Sequence, residues 1–304
     1  MIRRLYPTLL QGDIAKCNYF EGWFQKIYVP ELNKSIIIIY GFATGNELTK
    51  TGFIQLFVPG NDVIHINFPQ HQITLSKRKH EVKLGPNYFS TNRIHIEHEL
   101  VELDIEIIPQ TKKVLKLNSM GIFYLVPGLP CYHSVLQINS SIQGIIKINN
   151  ELIQLTHASG YLEKNWGISF PEKYFWMHAQ DPLNSTNQIL YSQAEMIWRN
   201  KTFIKHVGFI QLNGRSFDLR KIHRKQLVCN VYNSNQLEIS IDHMGIFLYF
   251  DLDEATNTSF KSPSNGKMTN KIIHNIGVPI RLKQELIPLN NIILLNGNVE
   301  NSIF

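Results

Sequence analysis

The chain has 304 residues, 43% of them hydrophobic and 18% charged, with 30 basic against 24 acidic side chains and a net charge of +6. This length holds one large domain or two of about 150 residues, and it can bury a core without disulfide staples. The composition excludes a disordered or collagen-like chain and a membrane-spanning helix, because the longest apolar run is Ile36–Ala43 where a span needs roughly 18 residues.

The same figures narrow the partners and the compartment. Basic residues fall in short clusters at Lys77–His80 and Arg220–Lys225, too dispersed for the one-sided charge of a nucleic-acid binder, so no nucleic-acid partner is expected. Arg3 and Arg4 have no apolar stretch behind them, so no secretory signal is read. Cys17, Cys131 and Cys229 are few, odd in number and far apart, which fits a reducing cytoplasm rather than a disulfide framework or a structural zinc site.

Taken along the chain, segments rich in β-branched and aromatic residues recur between Gly, Pro, Asn and Asp, the pattern of an all-β protein. Strands are predicted over Phe20–Val29, Ser35–Phe42, Gly52–Val58, Val63–Phe68, Arg93–Glu99 and Val101–Ile108. Further strands are predicted over His133–Ile138, Gly144–Ile148, Tyr174–Gln180, Phe203–Leu212 and Ile246–Leu252. Asn187–Arg199 has some helical spacing, but Ile189-Leu190-Tyr191 and Met196-Ile197-Trp198 favour a strand. Between Arg93 and Ile108 the polar residues switch parity, from His95, Glu97 and Glu99 to Glu102, Asp104 and Glu106. That slip predicts a bulge or turn near Leu100.

Three short segments recur in order. Tyr19-Phe20-Glu21-Gly22-Trp23 is echoed by Tyr161-Leu162-Glu163-Lys164-Asn165-Trp166 with one inserted residue, Gly52-Phe53-Ile54-Gln55-Leu56 returns as Gly208-Phe209-Ile210-Gln211-Leu212, and Met120-Gly121-Ile122-Phe123 returns as Met244-Gly245-Ile246-Phe247. The collinear repeat predicts two related β domains, 1–157 and 158–304. Barrels of about eight strands can enclose one apolar ligand, which would give the 11% aromatic content a use.

Candidate chemistry sits in three places. On a strand, Tyr19, Glu21, Trp23 and Gln25 share one face, and a carboxyl buried between aromatics makes a candidate general acid because desolvation disfavours its charge. Around Glu163, the run Gly160–Gly167 is followed by Tyr174, Trp176, His178 and Gln180 in alternation, a mix of rings and hydrogen-bonding groups suited to a cavity wall. Cys131 and His133 also share a face; a cysteine nucleophile is the weaker reading there and a polar cavity group at His133 the stronger. His95 and His98 fall on opposite strand faces and cannot chelate one metal together, so no metal site is expected. No phosphate-binding loop, nucleophile elbow or zinc-protease helix is present.

Together these segments resemble the tocopherol cyclase family. The matching stretches are Gln11-Gly12, Tyr19-Phe20-Glu21-Gly22-Trp23-Phe24-Gln25-Lys26, Met120-Gly121 with Pro127, Cys131-x-His133, Gly160–Gly167 with Phe170-Pro171, and Gly266-Lys267-Met268. The chain departs from the family pattern at Tyr174-Phe175-Trp176, where W-x-W is usual, and at His274, where a glutamate is expected. It also lacks the plastid-targeting extension of plant members.

The resemblance implies two lipocalin-like antiparallel β-barrel or sandwich domains packed together. It also implies acid-catalysed cyclisation of a prenylated hydroquinone or related isoprenoid, an intramolecular lyase or isomerase reaction with no redox cofactor. Glu21 or Glu163 would be the acid, Trp23, Trp166 and Trp176 would shape the pocket, and His133, Asn165 and Gln180 would hold ring oxygens beside His178. Indole faces could stabilise developing positive charge by roughly 0.5–2 kcal/mol per contact. The partner would be a small hydrophobic molecule, a lipid-soluble substrate would favour transient membrane contact, and the rival reading is a non-catalytic lipocalin-type carrier.

Overall fold

The computed structural model describes residues 6–12, 16–46, 50–110, 119–148, 151–184, 186–198, 201–219, 227–233, 236–241, 244–284 and 293–301. The basic cluster Arg220–Lys225 lies outside them. Among the described residues the chain is all-β, broken only by short 3-10 turns, and none of its helices is long and apolar enough to cross a membrane.

The chain divides into two compact units, one of residues 1–170 with 261–271 and one of residues 171–260 with 272–304. In the first, eleven antiparallel strands form a nearly closed, barrel-like sheet. They are β1 (Tyr19–Val29), β2 (Lys34–Thr44), β3 (Lys50–Phe57), β4 (Ile64–Pro69), β5 (Ile73–Leu75), β6 (Glu81–Leu84), β7 (Asn87–Ser90), β8 (Arg93–His98), β9 (Val101–Pro109), β10 (Cys131–Ile148) and β11 (Glu151–Gly167). Their order is β4-β3-β2-β1-β11-β10-β9-β8-β7-β6-β5.

A second, curled sheet consists of β12 (Tyr174–Gln180), β13 (Gln188–Trp198), β14 (Lys201–Leu212), β15 (Arg215–Asp218), β16 (Leu227–Asn233), β17 (Gln236–Ile241), β18 (Met244–Phe250), β19 (Thr256–Ser264), β20 (Lys267–Gln284) and β21 (Ile293–Asn301). It belongs to the second unit except for residues 261–271, the end of β19 and the start of β20, which belong to the first. Its main order is β15-β14-β13-β12-β21-β20-β18-β17-β16.

Local sequence explains the strands well. In β1 and β2 nearly every residue is buried whichever way it points, so their runs Phe24–Val29 and Ile36–Tyr40 show no polar alternation. β9 is the opposite case: Val101, Leu103, Ile105 and Ile107 are buried while Glu102 and Glu106 between them are exposed, the signature of a half-wet sheet. The parity slip at Leu100 is the turn joining β8 to β9. β11, 17 residues long, escapes the strand prediction because Ser159-Gly160 and Lys164-Asn165 interrupt any β-branched run.

The three recurring segments end in different relations. Gly52–Leu56 and Gly208–Leu212 occupy corresponding strands, β3 and β14, each two places from the strand that opens its unit. The echo of Tyr19–Trp23 is not its counterpart in the second unit. It lies in β11, the immediate antiparallel neighbour of β1, with Glu21 opposite Trp166 and Trp23 opposite Lys164. Met120-Gly121 opens a 3-10 turn, whereas Met244-Gly245 opens β18.

Candidate functional site

The inserted residue in the second motif decides the geometry of the first unit. Tyr19, Glu21 and Trp23 alternate and share a face, and Tyr161 and Glu163 also share one. Lys164 shifts the parity, so Trp166 leaves the Glu163 face and joins Lys164 on the face of Glu21. The two glutamates singled out by sequence therefore sit on opposite faces of the same pair of strands.

On the inner face, Glu21 is fully buried and forms an ion pair with Lys164, also fully buried. The Gln11 and Gly12 amides donate to its carboxylate at 2.9 Å each, and the Tyr19 hydroxyl donates at 2.6 Å. Lys164 Nζ donates to the carbonyls of Pro7 (3.1 Å) and Leu9 (2.7 Å) and lies 4.7 Å from the ring centre of Trp23 and 5.4 Å from that of Trp166. Burial pushes the Lys164 ammonium below the usual lysine range against the pull of Glu21, and burial together with Glu21 pushes the Tyr19 phenol well up.

The Gln-Gly motif has a physical reason here. A Cβ at Gly12 would meet the Tyr19 ring at 2.2 Å, so only glycine lets the amide reach Glu21. Trp23, Tyr40 and His80 stack beside the pair, with Trp23 5.0 Å from His80 and Tyr40 4.0 Å from Phe89. Burial, with the charge of Lys164, pushes His80 down to about 3. Glu21, Trp23 and Trp166 thus come together around the chain's own cation.

On the other face, Glu163 is 5% exposed and gathers three donors. His133 Nε2 lies 3.0 Å from Oε2, the Tyr161 hydroxyl donates to the same oxygen at 2.6 Å, and Asn165 Nδ2 donates to Oε1 at 3.2 Å. Burial raises the Glu163 carboxyl, but the charge of His133 and the bonds from His133, Tyr161 and Asn165 outweigh it and hold the group below the usual carboxylate range.

His133 keeps 15% of its side chain exposed, and among the described residues its buried Nδ1 has no partner. Its backbone is fixed by Ser119 Oγ, which donates to the carbonyl at 2.8 Å. Cys131 shares this face, but burial first and Glu163 second push its thiol far up, which leaves it a poor nucleophile. Phe20, Ala43, Phe53 and Cys131 continue the same surface as an apolar cluster with Phe170 and Met268 packed on it.

Trp176, His178 and Gln180 lie elsewhere, on β12 in the second unit. As the alternation predicts, they share one face with Tyr174, while Phe175, Met177 and Ala179 enter the apolar core on the other. Opposite them on β21 stand Glu300, Asn298 and Asn296. Glu300 lies 2.7 Å from His274 Nδ1 and accepts the Tyr174 hydroxyl at 3.2 Å, and Trp176 meets the His274 ring edge-on at 5.7 Å. His274, a departure from the family pattern in the sequence, is fully buried here.

Sequence reasoning assigned no role to Lys164, Tyr161 or Glu300. The first two lie inside the quoted motif, where a Tyr two residues before a Glu on a strand puts a phenol on the carboxylate's own face. Glu300 is joined to His274 only by strand pairing between β20 and β21, which no local pattern announces.

Residues 123–232 match the sequence model of the family described as tocopherol cyclase-like. No curated protein matches the chain in sequence. Among solved structures it is similar to CghA, at 8% identity and a TM-score of 0.61 over 97% of both chains. It is also similar to kievitone hydratase from Nectria haematococca, at 11% identity and a TM-score of 0.56 over 97% of this chain and 94% of that one. At such identities these structures share a fold and carry nothing further. The matched stretch, which holds His133, Tyr161, Glu163, Trp166 and Trp176, is similar to the tocopherol cyclase-like family.

Proposed function

We propose that this chain is an acid-catalysed cyclase acting on a prenylated hydroquinone or related isoprenoid, with His133 and Glu163 as its proton-transfer pair. The observation that carries this reading is His133 itself: Glu163 holds Nε2 at 3.0 Å while Nδ1 is left without a partner among the described residues. A carboxylate that fixes one ring nitrogen sets the orientation of the imidazole and offsets the charge of a protonated ring. A substrate would have to reach the buried Nδ1 through the 15% of the side chain that is exposed.

In the proposed reaction, protonated His133 gives its Nδ1 proton to the nearest trisubstituted alkene, leaving a tertiary cation. The phenolic oxygen forms a bond to that carbon and returns its own proton to His133, closing a chromanol ring. Electrons and atoms balance with no oxidant, and the imidazole ends as it began. Asn165 and Tyr161 keep the Glu163 carboxylate in place. Glu21, Trp23, Lys164 and Trp166 hold the amino-terminal segment against the sheet, and Trp176, His178 and Gln180 are the binding candidates of the second unit. A hydratase shares the fold, and hydration of an isoprenoid alkene would begin with the same proton transfer.

The test is incubation of the full chain with a prenylated hydroquinone in D2O. The expected product is a chromanol carrying one deuterium beside the new C–O bond, with Glu163→Gln and His133→Asn losing activity. Retention of unchanged hydroquinone by the wild type would favour the carrier reading, and a tertiary alcohol in place of the chromanol would favour hydration.

A further inference from the structure

A cavity of about 610 Å³ opens on the first unit between β2, β3 and β4 and the segment Lys261–Met268, within the roughly 300–1,000 Å³ typical of small-molecule sites. Its apolar side is Ala43, Phe53 and Met268; its polar side carries Lys261, Lys267 and His65, and no acidic residue is among its described lining. Neither lysine has an ion-pair partner among the described residues.

Both lysines are exposed, with the backbone of Lys261 and the stem of Lys267 held in place. Gln55, 2% exposed, clamps the backbone at Lys261 twice: its Oε1 accepts the Lys261 amide at 2.6 Å and its Nε2 donates to the Lys261 carbonyl at 2.9 Å. Lys267 runs its stem over Gly45, where an added Cβ would meet Lys267 Cε at 2.5 Å. Partial burial and the charge of Lys261 push His65 down from the usual histidine range, as expected where the lysine's field is felt inside the cavity. The Glu163–His133 pair has no part in this lining.

We infer that this cavity binds a monomeric amphipathic anion, with an apolar chain against Phe53 and Met268 and a terminal phosphate or carboxylate between Lys261 and Lys267. Two flanking ammonium groups supply charge-assisted bonds to the anionic head, and the apolar wall adds burial of the chain. A neutral alcohol would gain only the second of these. Free phosphate would gain only the first.

Calorimetric titration of the full chain with decyl phosphate, decanol and inorganic phosphate tests this. Decyl phosphate is expected to bind at least about tenfold more tightly than either control. Lys261→Gln with Lys267→Gln should weaken it by about tenfold or more and leave decanol unaffected. Thr51→Trp, which fills the cavity from an exposed lining position, should abolish binding without shifting the thermal midpoint. Equal binding of decanol and decyl phosphate would overturn the inference, as would undiminished binding to the double variant. So would association with anionic phospholipid vesicles but not with monomeric decyl phosphate, since that would make the lysines a membrane-surface contact.

Discussion

The two faces of the β1–β11 pair contain the same kinds of residue put to different uses. Each has a glutamate two residues after a tyrosine whose hydroxyl bonds it at 2.6 Å. Glu21 faces an ammonium, two backbone amides and the phenol, all supplied by its own chain and all buried except the half-buried Gln11 amide. Glu163 faces an imidazole that keeps one nitrogen unpartnered among the described residues and part of its surface open. The difference in role proposed for the two carboxylates follows their partners: lysine closes the network of Glu21, while Glu163 is paired to a histidine whose side chain is 15% exposed.

This contrast predicts opposite mutational profiles, which are the largest effects expected. Glu163→Gln should lower kcat by about 10²–10⁴-fold while moving the urea midpoint little. Glu21→Gln should leave Lys164 as an uncompensated buried charge and cost about 3–5 kcal/mol of stability. An enzyme that keeps its stability but loses activity in Glu21→Gln would reverse the assignment. The double variant Glu21→Gln/Lys164→Met should recover part of the lost stability, because replacing both partners of a buried pair costs less than removing one.

Much of the fold is legible in the sequence, because alternation and strand-forming residues mark β1 to β4, β8, β9, β12 and β14 directly. The motif residues are legible too, but not their grouping. Tyr19–Trp23 and Tyr161–Trp166 look like copies because both are Tyr-x-Glu strands ending in tryptophan. One inserted residue, Lys164, turns the second motif's tryptophan to the other face, and strand pairing then makes the two motifs partners in one network. Pairing is a long-range choice. The unpartnered Nδ1 of His133 and the approach of Glu300 to His274 depend on it in the same way.

The inner face has a second consequence, smaller and read through pH. His80 is held at about 3 by burial and by Lys164, whereas in the unfolded chain it titrates near its ordinary value of about 6.5. Because its folded value is depressed, the unfolded state takes up the proton first, so stability falls as pH drops from about 6.5 towards 3, by an amount of the order of a few kcal/mol. Urea midpoints measured across that window should decline in the wild type and decline less in His80→Leu. An identical slope in both would place the acid sensitivity elsewhere.

The smallest effect expected separates the Glu163 donors from one another. Tyr161→Phe removes the 2.6 Å bond to Oε2 and leaves the His133 contact standing. Hydrogen bonds to the charged form hold the Glu163 carboxyl low, so losing one should raise it and shift the acidic limb of the pH–rate profile upward. Activity at neutral pH should fall only severalfold, since proton transfer contributes about 10²–10⁴ and its pair remains in place. A merely structural tyrosine would lower stability and leave that limb where it was, so the profile distinguishes support of the carboxylate from support of the strand.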